Sequence, residues 1–212
     1  MKRAIGIFGG SFNPIHNGHL RCAWETLHHL NLKKIYFVPN YKANYKETIS
    51  IDVKHRVNML QLALQDIDEF EISLYEVEQQ DYTYTLQTIR YFKEKYPEYQ
   101  LYFLMGLDSL VNFHLWHDCR AIFDYAHVVV FSRPKISFSF ELAHNQWLLS
   151  HYCLEKETLQ KILHGKLFFC DTSLIDIESS QILYNLQLGI DARFLIPDIV
   201  KEYIEKEKPY LL

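Results

Sequence analysis

Short apolar segments alternate with amphipathic segments along most of the chain. The apolar segments are rich in β-branched and aromatic residues and are bounded by polar or turn-forming residues, a pattern that predicts buried strands. They are Ala4–Phe8, Lys34–Val38, Phe70–Tyr75, Leu101–Met105, Ala126–Phe131 and Lys166–Phe169. Three intervening segments, Gly18–Leu30, Asp52–Gln65 and Thr85–Lys95, carry apolar residues three and four positions apart, which predicts helices with one buried face.

Strands that alternate with helices predict parallel βαβ units with right-handed crossovers. We therefore predict an α/β fold of the Rossmann-like, doubly wound type, with a mainly parallel sheet flanked by helices and a helical C-terminal part from about residue 140 onward. Ligands of such sheets bind outside the carboxyl ends of the strands. The segments to examine are therefore Gly9–His19, Pro39–Lys46, Gly106–Trp116 and Ser132–Pro134.

Composition and charge exclude several classes of protein. The chain has 22 Lys and Arg against 26 Asp and Glu, a formal net charge of −4, which argues against a broad nucleic-acid-binding surface. Its four cysteines show no Cys-x-x-Cys spacing, so no zinc site is indicated. No apolar run approaches the roughly 20 residues that span a bilayer, and the first residues lack a signal-peptide pattern. We expect a single domain over residues 1–212, located in the cytoplasm.

The stretch GGSFNPIHNGH, residues 9–19, follows the first predicted strand. We expect the strand to end at Phe8, and Gly9 and Gly10 to let the backbone turn tightly and approach a ligand closely. Asn17 is a plausible N-cap for a helix that begins at Gly18.

Two histidines, His16 and His19, lie at the predicted start of this helix. A helix N-terminus favours anions, and imidazole donors beside it would add to that preference, so the stretch favours phosphate binding. Two other interpretations remain open here. The histidines could be structural, or they could be part of a metal site, although no carboxylate lies nearby. The pattern is neither G-x-G-x-x-G nor a Walker A motif.

The same stretch resembles the signature G-G-[ST]-F-[DN]-P-x-H-x-G-H of the HxGH nucleotidyltransferase superfamily. Along nearly its whole length the chain resembles the bacterial nicotinate-nucleotide adenylyltransferases. The further matching blocks, in order, are VPN (38–40), HRVNMLQLA (55–63), TYTLQTI (83–89) and FLMGLDSLVNFHLWHDCRAIFDYAHVVVFSRP (103–134). The resemblance implies an enzyme of NAD biosynthesis that joins nicotinate mononucleotide to the adenylyl group of ATP, releasing pyrophosphate by direct in-line transfer.

The resemblance also implies roles for individual residues. His16 and His19 would be catalytic, with His19 stabilising charge at the α-phosphate. The residues implied to bind ATP are Gly9, Gly10, Ser11, Phe12, His16, Gly18, His19, Lys46, Arg133, Ser179 and Ser180. Those implied to bind the nicotinate nucleotide are Gly9, Ser11, Lys46, Tyr84, Thr85, Gly106, Asp108 and Trp116. Mg²⁺ would accompany the ATP phosphates, without a dedicated metal site in the protein.

On the pyridine side, Thr85 would recognise the nicotinate carboxylate and Trp116 would stack on the ring. Asp108 would bind a ribose hydroxyl. Each of these residues also has an ordinary structural alternative: a hydroxyl at a helix start, an aromatic core residue and a helix cap, respectively.

Three positions depart from the family pattern. Leu183 stands where the family has an arginine, Glu178 replaces a serine, and Tyr45 replaces a histidine. All three lie in stretches that handle ATP in the family. The clearest loss is at Leu183, because leucine cannot make the bidentate phosphate contact of arginine. They keep two alternatives open: a non-catalytic pyridine-nucleotide-binding relative, or another HxGH adenylyl- or cytidylyltransferase. The sequence also leaves open the preference for an acid or an amide pyridine, regulation, and assembly into a homo-oligomer.

Overall fold

A computed structural model describes residues 3–42, 51–132, 136–173 and 175–210. Lys46 and Arg133, which were predicted to bind nucleotides, and Tyr45 lie outside these ranges. The strands are β1 (Ala4–Gly10), β2 (Lys34–Pro39), β3 (Phe70–Ile72), β4 (Gln100–Gly106), β5 (His127–Phe131) and β6 (Leu167–Cys170). The α-helices are α1 (Asn17–His29), α2 (Val53–Leu64), α3 (Tyr75–Glu78), α4 (Thr85–Lys95), α5 (Leu107–Val111), α6 (Lys156–Lys161), α7 (Ser179–Gln187) and α8 (Asp198–Glu207).

The six strands form one parallel sheet in the order β3-β2-β1-β4-β5-β6. The chain moves outward from β1 to β3, returns to the centre at β4, and moves outward again to β6. This is the doubly wound arrangement that the alternating pattern predicts, and the helical C-terminal part is confirmed by α7 and α8. No helix within the described ranges has both the length and the apolar character needed to cross a bilayer.

Two strand ends differ from the prediction by more than one residue. β1 continues to Gly10, because Gly9 and Gly10 are still in register with Val38 and Pro39 of β2. The edge strand β3 is shorter than predicted, since Ser73 makes its last backbone bond to Phe37 and the chain then turns into α3.

Alternate residues of β1 point into two apolar cores, one on each face of the sheet. Ala4 and Phe8 belong to the core covered by α1, α2, α7 and α8. Ile5 and Ile7 belong to the core covered by α4 and α5. Since both faces of the central strand are buried, its register is fixed and its carboxyl end has one defined position.

Gly6 occupies the tightest position of β1. A Cβ there would lie 2.9 Å from Ile35 Cγ1 and 3.1 Å from Leu104 Cδ1. Both atoms belong to buried side chains that have no room to withdraw in a close-packed interior.

We therefore expect Gly6→Ala to lower the free energy of unfolding by about 1–3 kcal/mol through overpacking. Gly9→Ala in the same strand is the matched control, because its Cβ would meet only Phe103 at an ordinary 3.8 Å. Urea unfolding of both variants tests this account, and equal midpoints would contradict it.

Candidate active site

Two clefts open at the carboxyl ends of the central strands, where the strand order reverses between β1 and β4. The wide cleft has a volume of about 590 Å³ and lies on the α4 side of the sheet. The narrow cleft lies on the α1 side, between the first turn of α1 and the segments that follow β5 and β6. His19 and Gly18 line the narrow cleft, whereas Gly9 and Gly10 line the wide one, so the chain from Gly9 to His19 lies along both.

The turn after β1 is made by Phe12 rather than by the two glycines, which corrects the sequence prediction. Gly9 and Gly10 remain in the strand, whereas Phe12 has φ of 47° in the left-handed region. The Phe12 ring is 1% exposed and packs edge-on against His19 at 5.3 Å between centroids. Phe8 contacts the same imidazole at 6.0 Å. An apolar floor thus fixes the plane of the His19 ring, and the implied binding of ATP at Phe12 stays a prediction.

His16 and His19 cap the start of α1 reciprocally. The His19 backbone N–H donates to His16 Nδ1 at 3.2 Å, and the His16 backbone N–H donates to His19 Nδ1 at 3.3 Å. The N-cap is therefore His16, with extended backbone, and not Asn17 as predicted. Cap preferences favour Asn over His, so propensity alone misplaces this helix start by one residue.

This reciprocal cap determines which ring nitrogen carries the proton. A backbone N–H can only donate, so Nδ1 of each imidazole must accept. Each ring is then neutral and carries its proton on Nε2. The two imidazoles are stacked, with centroids 3.5 Å apart, and His16 is 1% exposed. Of the two rings, His19 lines the narrow cleft, whereas His16 is buried against it and fixes its position.

Gly18 makes room for this stacked pair. A Cβ at position 18 would lie 3.0 Å from His16 Nδ1 and 3.1 Å from His16 Cε1. Any larger residue would press on the ring atom that accepts the capping bond, so the glycine between the histidines has a steric reason.

Backbone groups at the start of α1 are partly occupied by the protein itself. The Asn17 N–H donates to Leu195 O at 2.8 Å, and Asn17 Nδ2 donates to Phe194 O at 2.8 Å. With His19 N–H bound to His16, two of the first three backbone donors of the helix already have partners. The anion-binding capacity of this helix start therefore depends mainly on the imidazoles.

Three distant side chains hold the loop between β1 and α1. Buried Arg56 of α2 donates to Ser11 O at 2.7 Å, Ser179 Oγ of α7 donates to Pro14 O at 3.1 Å, and Tyr210 OH donates to Asn13 Oδ1 at 2.9 Å. Arg56 also donates to Asn40 O at 2.7 Å and to Tyr41 O at 3.0 Å. It therefore joins the ends of β1 and β2 with a fork of hydrogen bonds.

The structure brings several residues predicted for the pyridine side to the wide cleft. Tyr84, Thr85, Asp108 and Trp116 all line it, and Thr85 is the first residue of α4. Trp116 is half-buried, with its ring 6.1 Å from Phe103. Asp108 is in the first turn of α5, whose N-cap is Gly106. Asp108 therefore faces the cleft and does not cap this helix.

Sequence reasoning missed Tyr82, His117 and Lys42, which line the wide cleft beside the predicted Tyr84. Tyr82, Tyr84 and His117 form an aromatic series along its wall, with centroids 4.8 and 4.3 Å apart. Lys42 lines the cleft and pairs with Asp81 at 3.0 Å. Single aromatic or basic residues carry no distinctive spacing, so only tertiary structure identifies them as neighbours.

A buried carboxyl group lies in the same cleft. Glu76 is 8% exposed, and Thr88 Oγ1 donates to its Oε1 at 2.5 Å. Burial raises the pKa of Glu76 to about 7, although the hydrogen bond from Thr88 lowers it in part. The sequence gives little sign of this pair, because Glu76 is on a single helical turn and its partner Thr88 comes twelve residues later.

The predicted ATP-binding serines of α7 have partners within the protein. Ser179 binds the loop as described, and exposed Ser180 donates to Glu178 Oε2 at 3.2 Å. The described residues that line the two clefts do not include either serine. Leu183, which stands in the place of the family arginine, is 7% exposed and belongs to the α1-side core.

Among the described residues, no group of three or more His, Cys, Asp or Glu side chains is placed to hold a metal ion. The four cysteines are free thiols. Burial raises the pKa of the Cys170 thiol to about 11, which makes it a poor nucleophile.

Comparison with known proteins agrees with this geometry. The cytidylyltransferase-like family model matches residues 7–185. A protein of Psychromonas ingrahamii named "Probable nicotinate-nucleotide adenylyltransferase" is 34% identical, over 99% of this chain and 98% of its own length. A Clostridium tetani protein of the same name is 37% identical, over 95% and 97%. The Plasmodium falciparum nicotinic acid mononucleotide adenylyltransferase complexed with NaAD has a TM-score of 0.73 at 21% identity, covering 98% of this chain and 97% of that one. This structural likeness shows the shared fold.

We expect Arg56→Lys to destabilise the protein, because an ammonium group cannot reach the carbonyls of Ser11, Asn40 and Tyr41 together. Leaving buried carbonyls unpaired costs about 1–3 kcal/mol. Urea unfolding measures the loss, and Lys54→Met, at an exposed position of the same helix, is the control. A urea unfolding midpoint of Arg56→Lys equal to that of the wild type would contradict this role of the Arg56 hydrogen bonds.

Proposed function

The chain belongs to the cytidylyltransferase-like family and, within it, to the nicotinate-nucleotide adenylyltransferases, and we propose that it transfers the adenylyl group of ATP to nicotinate mononucleotide. The products are deamido-NAD and pyrophosphate. The observation that supports this proposal is the fixed His19 imidazole beside the narrow cleft, at the carboxyl end of the sheet where the wide cleft is lined by Thr85, Asp108 and Trp116.

In the proposed reaction a phosphate oxygen of nicotinate mononucleotide forms a bond to the α-phosphorus of ATP. The bond from that phosphorus to the bridging oxygen breaks on the opposite side, and pyrophosphate leaves. No covalent bond to the enzyme forms, so the protein contributes positioning and charge stabilisation. We assign charge stabilisation at the α-phosphate to His19 Nε2–H, with buried His16 fixing its orientation.

The two substrates are assigned to the two clefts. The mononucleotide occupies the wide cleft, with the pyridine ring beside Trp116, its carboxylate near the start of α4 at Thr85, and the ribose near Asp108. ATP lies along the chain from Gly9 to His19, with its phosphates at the mouth of the narrow cleft, whose volume of about 10 Å³ does not admit the nucleotide itself. Mg²⁺ would accompany the ATP phosphates and offset part of their charge, without a dedicated metal site in the protein. We place the enzyme in the cytoplasm, with nucleotides rather than nucleic acid as partners.

The direct test is pyrophosphate release from ATP, Mg²⁺ and nicotinate mononucleotide by the purified protein. Release at an ordinary enzymatic rate is expected. Binding of the mononucleotide without pyrophosphate would instead support the non-catalytic alternative, which the replacement of the family arginine by Leu183 keeps open.

We expect His19→Asn to lower kcat by about 10²–10³-fold, because it removes the Nε2 donor but keeps an acceptor for the His16 N–H. His28→Ala, exposed near the other end of α1, is the matched control and should leave kcat unchanged. Thermal unfolding of His19→Asn close to that of the wild type would show that the capped helix persists. An unchanged kcat for His19→Asn would overturn the assigned role.

A further inference from the structure

The wide cleft contains an ionisable group that the proposed reaction does not use. Glu76 lies among the lining residues, on α3, and receives a hydrogen bond from Thr88 of α4. Thr88 follows Thr85 by three residues, so both hydroxyls lie on one face of α4, about 4.5 Å apart along the helix axis. The Glu76 carboxyl is therefore close to the end of the cleft where the pyridine substituent would lie.

The charge of this carboxyl depends on pH in the physiological range. Burial raises the pKa of Glu76 to about 7, so the group is largely neutral at pH 6 and largely anionic at pH 8.5. A neutral carboxyl has one O–H donor, whereas a carboxylate only accepts. The same side chain can therefore donate a hydrogen bond at pH 6, whereas at pH 8.5 it only accepts hydrogen bonds and carries a negative charge.

Other titratable or charged groups surround the cleft. Those on α3, on α4 and on or beside the cleft walls are Tyr75, Glu78, Arg90, Tyr91, Lys93, Glu94, Lys95, Lys42, Asp81, Tyr82, Tyr84, Asp108 and His117. Lys42 is already paired with Asp81. Since these residues remain when Glu76 alone is changed, their influence can be separated from that of Glu76.

We propose that Glu76 sets the choice between an acid and an amide pyridine nucleotide in this cleft, an inference that rests on the proposed function. In its neutral form Glu76 tolerates the carboxylate of nicotinate mononucleotide and can donate to it. In its ionised form it repels that carboxylate and accepts an N–H from the carboxamide of nicotinamide mononucleotide. Selectivity for the acid therefore falls as the pH rises.

The test is the ratio of kcat/KM for nicotinate mononucleotide to kcat/KM for nicotinamide mononucleotide, measured from pH 6 to pH 8.5. The substrate phosphate titrates near pH 6 in both compounds, and ATP is common to both, so their pH dependences cancel in the ratio. We expect the wild-type ratio to fall at least fivefold across this range, with a midpoint near pH 7.

Glu76→Gln keeps an acceptor for Thr88 and cannot ionise. Its ratio should vary less than twofold with pH, and its kcat/KM for the acid at pH 8.5 should exceed that of the wild type at least fivefold. Glu78→Gln, at an exposed position of the same helix, should retain the wild-type profile. A Glu76→Gln profile parallel to that of the wild type would overturn the inference.

Calorimetric binding of the two mononucleotides to wild-type protein keeps the inference testable if Glu76→Gln does not fold. The Kd of the acid relative to that of the amide should rise at least fivefold from pH 6 to pH 8.5, and a constant ratio would overturn the inference. This measurement needs no turnover. Absence of pyrophosphate together with a pH-dependent binding ratio would therefore refute the proposed function alone.

Glu76→Gln also has an expected effect on stability. Because the pKa is raised in the folded protein, stability conferred by the wild-type residue is present below its unfolded pKa and declines as the pH rises toward 7. The melting temperature of Glu76→Gln minus that of the wild type should therefore increase between pH 5 and pH 8. If this difference does not increase between pH 5 and pH 8, Glu76 does not ionise in this range. That result would also overturn the inference.

Discussion

The reciprocal capping of His16 and His19 is the interaction on which the site depends. Each backbone N–H donates to the Nδ1 atom of the other residue's ring. This pair of hydrogen bonds caps the start of the helix and holds the imidazoles in a stack. It also leaves the proton of each ring on Nε2. A charged imidazole could not accept the capping bond. The formation of the helix and the fixing of the two imidazoles therefore depend on the same hydrogen bonds, and Gly18 provides the space for the stacked rings.

The rest of the chain places this pair at the carboxyl ends of the central strands, with His19 beside the narrow cleft. The doubly wound sheet brings the carboxyl ends of β1 and β4 together, with buried residues on both faces of β1 to fix its register. Arg56, Ser179 and Tyr210, distant in sequence, then hold the short loop that leads to His16. The site is consequently preorganised by long-range contacts, whose loss would displace the imidazoles without touching them.

Sequence reasoning predicted the doubly wound parallel sheet and the three amphipathic helices, and it singled out the histidine pair. Periodicity and short motifs are local properties of the chain, so the sequence alone reveals them. The residues that the family resemblance assigned to the pyridine side, Thr85, Asp108 and Trp116, also line one cleft. The cap at His16 and the turn at Phe12 were missed, since each contradicts its residue's usual preference. Arg56 and Glu76 were missed because burial creates their roles, and burial depends on how separate helices pack.

The central claim, that both imidazoles are neutral donors fixed through Nδ1, can be measured directly. Two-dimensional ¹H–¹⁵N spectra of the histidine side chains, assigned with His16→Asn and His19→Asn variants, report which ring nitrogen carries the proton. The account predicts that Nδ1 is unprotonated and Nε2 protonated in both residues at neutral pH. A proton on Nδ1 of either ring would contradict it.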